Sequence, residues 1–142
     1  MSEEKAYERL LPDEDREFLA QKGWRYSLYR VGGEVHVVVH DFVLPDVYEP
    51  SRVDLLIRLP SGYPNANPDM YWTRPSVKLK HSLAWPLNAE HHAVPGAGEG
   101  VEVYACTPWQ RWSRHLQDGW RSGVDGLRSY IASVLRDLEI RR

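Results

Sequence analysis

The most informative segment of the chain for its fold is Leu59-Pro60-Ser61-Gly62-Tyr63-Pro64-Asn65-Ala66-Asn67-Pro68. Pro64 and Pro68 fix φ and carry no N–H donor, so this segment cannot continue a strand. The Tyr63 ring can pack beneath the turn that the prolines enforce. The stretch therefore predicts a fixed turn that separates two strands.

The segments around this turn alternate between apolar and polar residues, as strands do. Arg52 to Leu59 ends at the turn, and Asp69 to Thr73 follows it. Upstream, Trp24–Val31 and Glu34–Phe42 alternate on either side of Gly32-Gly33, which is typical of a hairpin. One face of these strands is apolar, and it carries Val35, Val37, Val39, Val53, Leu55, Ile57 and Leu59. The pattern predicts a four-stranded antiparallel meander.

A helix is predicted on each side of the meander. The first runs from an N-cap at Asp13 to Lys22 before Gly23, with a possible backward extension through Ala6, Tyr7, Leu10 and Leu11. The acidic run Asp13–Asp15 is interpreted as the charged start of this helix. The last helix is predicted from about Gly123 to Glu139, with an apolar stripe at helical spacing formed by Val124, Leu127, Ile131, Val134, Leu135 and Leu138.

A long irregular loop is predicted between Arg74 and Gly100, where prolines and glycines interrupt every pattern. A short extended piece, Val101–Ala105, leads from this loop into a Trp-rich segment whose tryptophans we expect beneath the last helix. No internal repeat or second domain is visible. The sequence thus predicts an α+β fold in one domain that covers residues 1–142.

The amino-acid composition limits the classes of function that we expect for this chain. The net charge of −2 gives no electrostatic reason to expect nucleic acid or an acidic membrane as a partner. Six Trp and eight Tyr favour a protein-binding surface, since both residues join an apolar body to a polar tip. Cys106 stands alone, so an intramolecular disulfide is excluded. The charged amino terminus lacks the apolar run of a signal peptide, and no stretch is as long as a membrane span. We expect a cytoplasmic protein.

Three sequence blocks resemble one protein family. They are Leu11-Pro12, Tyr63-Pro64…Pro68-Asp69-Met70, and Trp109-Gln110-Arg111-Trp112-Ser113-Arg114-His115, and Trp120 precedes the last helix. With the order of elements, these blocks resemble the ubiquitin-conjugating enzyme superfamily, in particular its divergent bacterial branch, prokaryotic family E. The resemblance covers nearly the whole chain. It implies a ubiquitin-conjugating-like fold in which Tyr63, Pro64, Pro68, Trp112 and Trp120 are structural hallmarks.

The resemblance also implies where a nucleophile belongs. Family members keep a catalytic cysteine seven or eight residues before the tryptophan that corresponds to Trp120. Here that position holds Trp112-Ser113, whereas Cys106 lies farther upstream. The His-Pro-Asn triplet of standard members is absent, so their oxyanion-stabilising asparagine has no counterpart that the sequence can place.

Ser113 and Cys106 are therefore the two candidate nucleophiles. A serine hydroxyl needs an adjacent base, and His115 would lie on the same side of an extended stretch, within reach of Ser113 Oγ or a neighbouring water. Arg111 and Arg114 are candidates to stabilise an oxyanion or bind the modifier's tail. The simpler interpretations are a serine near a helix start, a histidine packed on tryptophans, and a cysteine that is a small buried hydrophobe.

Three functions remain open at this stage, the third of which is a free-standing interaction domain unrelated to conjugation. The first is an acyl carrier that takes a ubiquitin-like modifier from a ThiF-type adenylating enzyme, as an oxyester or thioester, and transfers it to an amine. A JAB-type metallopeptidase would act in the same pathway, and the carrier would need no cofactor of its own. The second is a catalytically inactive domain that binds the modifier or scaffolds the pathway. A metal site is not predicted, because the five candidate ligands follow no zinc spacing: His81, His91, His92, Cys106 and His115.

Overall fold

A computed structural model describes residues 10–96, 107–116 and 119–140 of the chain. Within these residues, two helices pack on one face of a six-stranded sheet whose order is β1-β2-β4-β5-β8-β7, and β3 and β6 form a separate two-stranded ladder. The helices are α1 (Asp13–Lys22) and α2 (Leu127–Glu139). The strands are β1 (Tyr26–Val31), β2 (Glu34–Val43), β3 (Tyr48–Glu49), β4 (Arg52–Leu59), β5 (Tyr71–Arg74), β6 (Lys78–Leu79), β7 (His92–Ala93) and β8 (Trp109–Trp112). The predicted α+β, ubiquitin-conjugating-like order of elements is confirmed.

The predicted meander is present as β1, β2, β4 and β5, each antiparallel to the next. Gly32 closes the first hairpin with a φ of 63°, a conformation that a glycine adopts without strain. The register of β2 on β4 shifts between Val39 and Phe42, where Asp41 has a φ of 56°. This bulge bends the long strand β2 over the helices.

The two faces of the sheet carry separate apolar clusters. The helix-facing core contains every position predicted to share the apolar face of β4, together with Val37 and Val39. The opposite face carries a smaller buried cluster of Val31, Val38, Leu56, Trp72 and Trp109. The expectation that the Trp-rich segment lies wholly beneath α2 is therefore wrong for Trp109. Strand alternation places Trp112 under the helices and Trp109 on the far side.

Helix α1 has the predicted bounds but a different start. Pro12, with a ψ of 150°, precedes the helix and its carbonyl accepts the first backbone N–H groups, so Asp13 is the first helical residue and not the N-cap. The predicted backward extension of the helix is not present at Leu10 and Leu11. Pro12 has an extended backbone, and Leu10 and Leu11 form a turn and a bend. Ala6 and Tyr7 lie outside the described residues. Gly23 ends the helix with a φ of 68°, as predicted.

Helix α2 begins at Leu127, four residues later than predicted. Gly123 has a φ of 81°, and the Asp125 carboxylate accepts the Arg121 backbone N–H, so residues 121–125 form a turn. Val124 lies in this turn and is 63% exposed, which removes it from the predicted apolar stripe. Leu127, Ile131, Val134 and Leu138 are buried as predicted. In the described part of the chain, no helix is long and apolar enough to cross a membrane.

The predicted irregular loop contains more order than its sequence indicates. It contains β6 and β7, and β8 then joins the sheet beside β5. The buried Gln110 amide fixes this arrangement: it accepts from Thr73 Oγ1 and the Val77 N–H and donates to the Val77 and Ala89 carbonyls. All hydrogen-bonding positions of a buried amide are thus used, and they join the loop to the sheet. Val101–Ala105 lie outside the described residues.

Asp15 connects the two helices, and it is more than the charged start of α1. Its carboxylate accepts hydrogen bonds from Tyr63 Oη at 2.6 Å and from the Leu127 backbone N–H at 3.1 Å. Leu127 opens α2, so a side chain from α1 caps the second helix. Burial raises the pKa of Asp15, although both hydrogen bonds act against this shift. The turn between β4 and β5 is joined to both helices through this carboxylate.

Arg114 and Asp137 form a buried ion pair at the other end of α2. Arg114 Nη1 lies 2.8 Å from Asp137 Oδ2, and both side chains are almost fully buried. Tyr71 Oη donates to the same carboxylate oxygen at 2.6 Å, and burial together with this charge raises the pKa of Tyr71. Arg114 also donates to the Leu87 carbonyl and stacks on Trp112. The pair therefore joins α2, β5, β8 and the long loop.

We predict that Asp15→Ala lowers the free energy of unfolding by about 2 kcal/mol, because the buried Leu127 N–H and the part-buried Tyr63 hydroxyl lose their acceptor. Asp15→Asn keeps an acceptor oxygen and avoids burying a charge, so its stability at pH 7 should stay within about 0.5 kcal/mol of wild type or exceed it. Urea denaturation followed by circular dichroism measures both. Glu14→Ala, an exposed change in the same turn, is the control. Equal stability of the two alanine variants would contradict the capping role.

We predict that Arg114→Met lowers the free energy of unfolding by about 3 kcal/mol, since the buried Asp137 carboxylate loses its cation. The double variant Arg114→Met/Asp137→Asn should be more stable than Arg114→Met alone, because it leaves no buried charge. Arg136→Met, an exposed substitution on the same helix, is the control. The ion pair would lose its proposed role if the double variant were the less stable of the two. The measurement is the same urea titration.

Candidate active site

Ser113 lies where strand β8 ends and the chain turns. Its backbone N–H donates to the Asn88 carbonyl at 2.9 Å, and the Arg114 N–H donates back to the Trp112 carbonyl at 2.8 Å. The second bond closes a three-residue turn centred on Ser113. The stretch from Ser113 to His115 is therefore not the simple extended segment that we expected. Ser113 itself is half-buried at the edge of the sheet.

His115 is an exposed residue whose imidazole is held by Asp69. The distance from Nδ1 to Asp69 Oδ1 is 2.6 Å, and the side chains are 58% and 47% exposed. The carboxylate accepts from Nδ1–H, which leaves the Nε2 lone pair free to accept a proton. Among the described residues no hydrogen bond joins His115 to Ser113 Oγ. The predicted direct contact is thus absent, and Asp69 is the partner of the histidine.

The two arginines of the block have different environments. The Arg114 guanidinium is inside the protein, where its contacts with Asp137 and Leu87 occupy it. This corrects the expectation that Arg114 meets an oxyanion or a modifier tail, because a buried and paired guanidinium is not available to a ligand. Arg111 points away from the helices and is half-buried, and its backbone N–H donates to the His91 carbonyl. Of the two, only Arg111 remains a candidate ligand-binding residue.

The other candidate nucleophile, Cys106, lies outside the described residues. So does the extended piece that precedes it. Within residues 10–96, 107–116 and 119–140, no group of three or more His, Cys, Asp and Glu side chains could hold a metal ion. The described part of the candidate site therefore consists of Ser113, His115 and their neighbours.

The predicted hallmark residues form a contact between distant parts of the chain. Trp120 Nε1 donates to the Pro64 carbonyl at 3.0 Å, and its ring lies against Tyr63. Pro68 is buried just before Asp69. Trp112 is fully buried, stacks on Tyr71 and donates through Nε1 to Thr73 Oγ1. These residues hold the strands and the turn around the candidate site in place. The candidate reactive groups are among the more exposed side chains.

Sequence reasoning missed two residues beside the candidate nucleophile. Asp69 is separated from His115 by 46 positions, and only its place after Pro68 in the Pro-Asp-Met block hinted at a role. Asn88 lies in the irregular loop, has a φ of 59°, and is brought next to Ser113 through its backbone carbonyl. No local pattern marks this asparagine, because its position depends on how the loop pairs with β8.

Comparison with known proteins agrees with this architecture. Residues 11–141 match the family model of prokaryotic E2 family E, which covers almost the whole chain. No curated protein and no solved structure matched the chain. The family match includes the Tyr-Pro turn, the Trp-rich block and α2, the elements that position Ser113 and His115. The chain therefore belongs to prokaryotic E2 family E and has the ubiquitin-conjugating type of fold.

Proposed function

We propose that this protein is an acyl carrier of a ubiquitin-like conjugation pathway, with Ser113 as its nucleophile and His115 as its base. Membership of an E2-like family supports a conjugating role with a ubiquitin-like modifier and an activating enzyme as partners. The observation that carries the proposal is the 2.6 Å hydrogen bond from His115 to Asp69, two residues from a half-buried serine. A carboxylate that holds one imidazole nitrogen prepares the other to accept a proton.

Loading begins with the modifier activated at its carboxy-terminal carbonyl by the adenylating enzyme. Ser113 Oγ forms a bond to that carbonyl carbon, and the bond from the carbon to the activating enzyme's leaving group breaks. The hydroxyl proton passes through a water molecule to His115 Nε2, since the two side chains make no direct hydrogen bond. Asp69 stabilises the imidazolium that results.

Transfer then returns the proton to the serine. An amine of the target forms a bond to the carbonyl carbon, and the bond from that carbon to Ser113 Oγ breaks. Before transfer, the imidazolium formed during loading releases its proton to solvent. The amine then gives one of its own protons to the neutral His115 imidazole, which passes that proton to Ser113 Oγ. The carrier thus ends unchanged, and the modifier is joined to its target by an amide. No cofactor is required, because the activating enzyme consumes the ATP.

The remaining partners follow from the same proposal. We place a ThiF-type adenylating enzyme before this step and a JAB-type metallopeptidase in the same pathway, and we place the reaction in the cytoplasm. The near-neutral net charge of −2 fits protein partners better than nucleic acid.

A second function is favoured by one observation. Ser113 and His115 make no direct hydrogen bond within the described residues, which is the arrangement expected if the site had lost catalysis. In that case the protein binds the modifier or scaffolds the pathway. The acyl-carrier function is compatible with the same observation, because catalytic hydrogen bonds often form only once the substrate is bound.

We predict that reconstitution with the cognate activating enzyme and modifier gives a conjugate that survives reducing thiol and is cleaved by hydroxylamine or mild base. Ser113→Ala should abolish it, because the oxyester loses its oxygen, whereas Cys106→Ala should leave it intact. A thiol-sensitive conjugate that only Cys106→Ala removes would assign the nucleophile to the cysteine. With an active adenylating enzyme, no conjugate in any variant would establish the binding domain instead. Gel mobility and intact mass measure the outcome.

We predict that His115→Gln slows transfer from the purified oxyester to an amine by at least about 100-fold, since a general base contributes roughly this factor or more. Asp69→Asn should slow transfer by about 10-fold through loss of imidazole orientation. Single-turnover kinetics measure both, with the yield of loaded protein recorded separately. His91→Gln, an exposed histidine outside the site, is the matched control. Equal transfer rates in His115→Gln and His91→Gln would refute a role for the Asp69–His115 pair.

A further inference from the structure

A serine, a histidine and an aspartate form a hydrogen-bonded chain across three neighbouring strands. Ser27 Oγ lies 2.8 Å from His40 Nε2, and His40 Nδ1 lies 3.2 Å from Asp54 Oδ1. The three residues belong to β1, β2 and β4, and they are 13 and 14 positions apart in the sequence. Because no local motif joins them, only the pairing of the strands brings them together.

The strand register places this chain on the face of the sheet opposite the helices. Ser27 is the register partner of Val38, and Asp54 lies two positions from Leu56; Val38 and Leu56 both belong to the buried cluster of that face. The His40 and Asp54 side chains are 17% and 28% exposed, and Ser27 is half-buried. The three groups are therefore held in place by the sheet and still reached by solvent.

The contacts give each of the three groups a different role. An ionised carboxylate only accepts hydrogen bonds, so the His40 ring carries its proton on Nδ1, and Nε2 accepts from the Ser27 hydroxyl. The second oxygen of Asp54 faces Arg74 Nη2 at 3.9 Å, which leaves Oδ1 to the imidazole. A hydroxyl, a base and a carboxylate that orients the base are the arrangement that activates serine on several unrelated folds.

The outer edge of β1 supplies a donor for the negative charge that acyl transfer develops. Within the described residues β1 is the outermost strand of its sheet. The His40 N–H donates to the Arg25 carbonyl, so Ser27, two positions farther along β1, also directs its backbone groups toward β2. Leu28 directs its N–H the other way, to the open edge. The N–H of the residue after a nucleophilic serine is a common oxyanion donor.

We propose that Ser27, His40 and Asp54 form a second reactive site, which hydrolyses small esters that have a good leaving group. The restriction to activated esters follows from the single backbone donor, that of Leu28, since further donors would be needed to stabilise a less reactive carbonyl. The site is separate from the one proposed above, because three strands lie between β1 and β8, the strand that ends before Ser113. It does not rest on the proposed carrier function.

The reaction begins with attack by the serine. Ser27 Oγ forms a bond to the ester carbonyl carbon, His40 Nε2 takes the hydroxyl proton, and the alcohol leaves with that proton as its bond to the carbon breaks. Water then forms a bond to the same carbon and gives a proton to His40. The bond from the carbon to Ser27 Oγ breaks, the serine regains the proton, and a carboxylic acid is released. Asp54 is a positioning residue that keeps Nε2 directed at the serine.

The test treats the full chain with diisopropyl fluorophosphate, which forms a stable phosphoester with an activated serine and releases fluoride. Peptide mass mapping locates the modified residue, and p-nitrophenyl acetate measures ester turnover through the release of p-nitrophenolate. Ser76→Ala is the matched control. Ser76 Oγ also contacts a histidine, His92 Nε2 at 2.7 Å, but no carboxylate in the described part of the chain bonds that ring.

We predict that the label maps to Ser27 and that Ser27→Ala abolishes both labelling and ester turnover, whereas Ser76→Ala leaves both unchanged. His40→Gln should slow labelling at least about 100-fold, since the hydroxyl loses its base. Asp54→Asn should slow it about tenfold, and Asp54→Glu should restore part of the rate, which a purely structural role of the carboxylate would not produce.

Two results would overturn the proposal. One is a wild-type chain, folded by circular dichroism, that takes no label or takes it only at serines other than Ser27. The other is equal ester turnover in wild type and Ser27→Ala. Mapping of the wild-type label keeps the test decisive even if a variant does not fold. No modifier or activating enzyme is present, so these outcomes are independent of whether Ser113 forms a conjugate.

Discussion

The buried ion pair between Arg114 and Asp137 is the interaction on which the site depends. Of the two residues, Arg114 lies between Ser113 and His115. The ion pair and the bonds that Arg114 donates to the Leu87 carbonyl fix this stretch to α2, to Tyr71 on β5 and to the long loop. Two charges in the interior are tolerated only when they satisfy each other and their remaining hydrogen bonds. Here the Tyr71 hydroxyl and the stacked Trp112 ring complete that environment. The stretch from Ser113 to His115 is thus anchored by a buried ion pair at Arg114, while Ser113 is half-buried and His115 is exposed.

A second buried carboxylate, that of Asp15, fixes the other end of α2. Asp15 caps that helix at Leu127 and accepts from Tyr63, whose neighbour Pro64 receives the Trp120 indole N–H. Three of the residues predicted as hallmarks, Tyr63, Pro64 and Trp120, thus have a structural role: with Asp15 they join the two helices to the turn between β4 and β5. The residues that can perform chemistry are a separate and more exposed set, chiefly Ser113, His115 and Asp69.

This separation bears on how a serine could replace a cysteine in such a fold. A thiol ionises near neutral pH with little help, whereas a hydroxyl needs a base that is held in place. In the proposed mechanism, the Asp69–His115 pair is that oriented base.

Periodicity, turn residues and motif blocks are local properties, and they suffice to predict the fold class, the bounds of α1, the first hairpin, the apolar face of β4 and the family. Ser113 and His115 were singled out by their position, and their roles stay predictions. The folded chain alone shows that Arg114 is buried, that Asp15 caps α2, that Trp109 lies on the far face and that Asp69 holds His115. Each of these outcomes depends on a partner that is distant in sequence, and burial and pairing of a charge follow from which chain segments meet. A local pattern cannot contain that information.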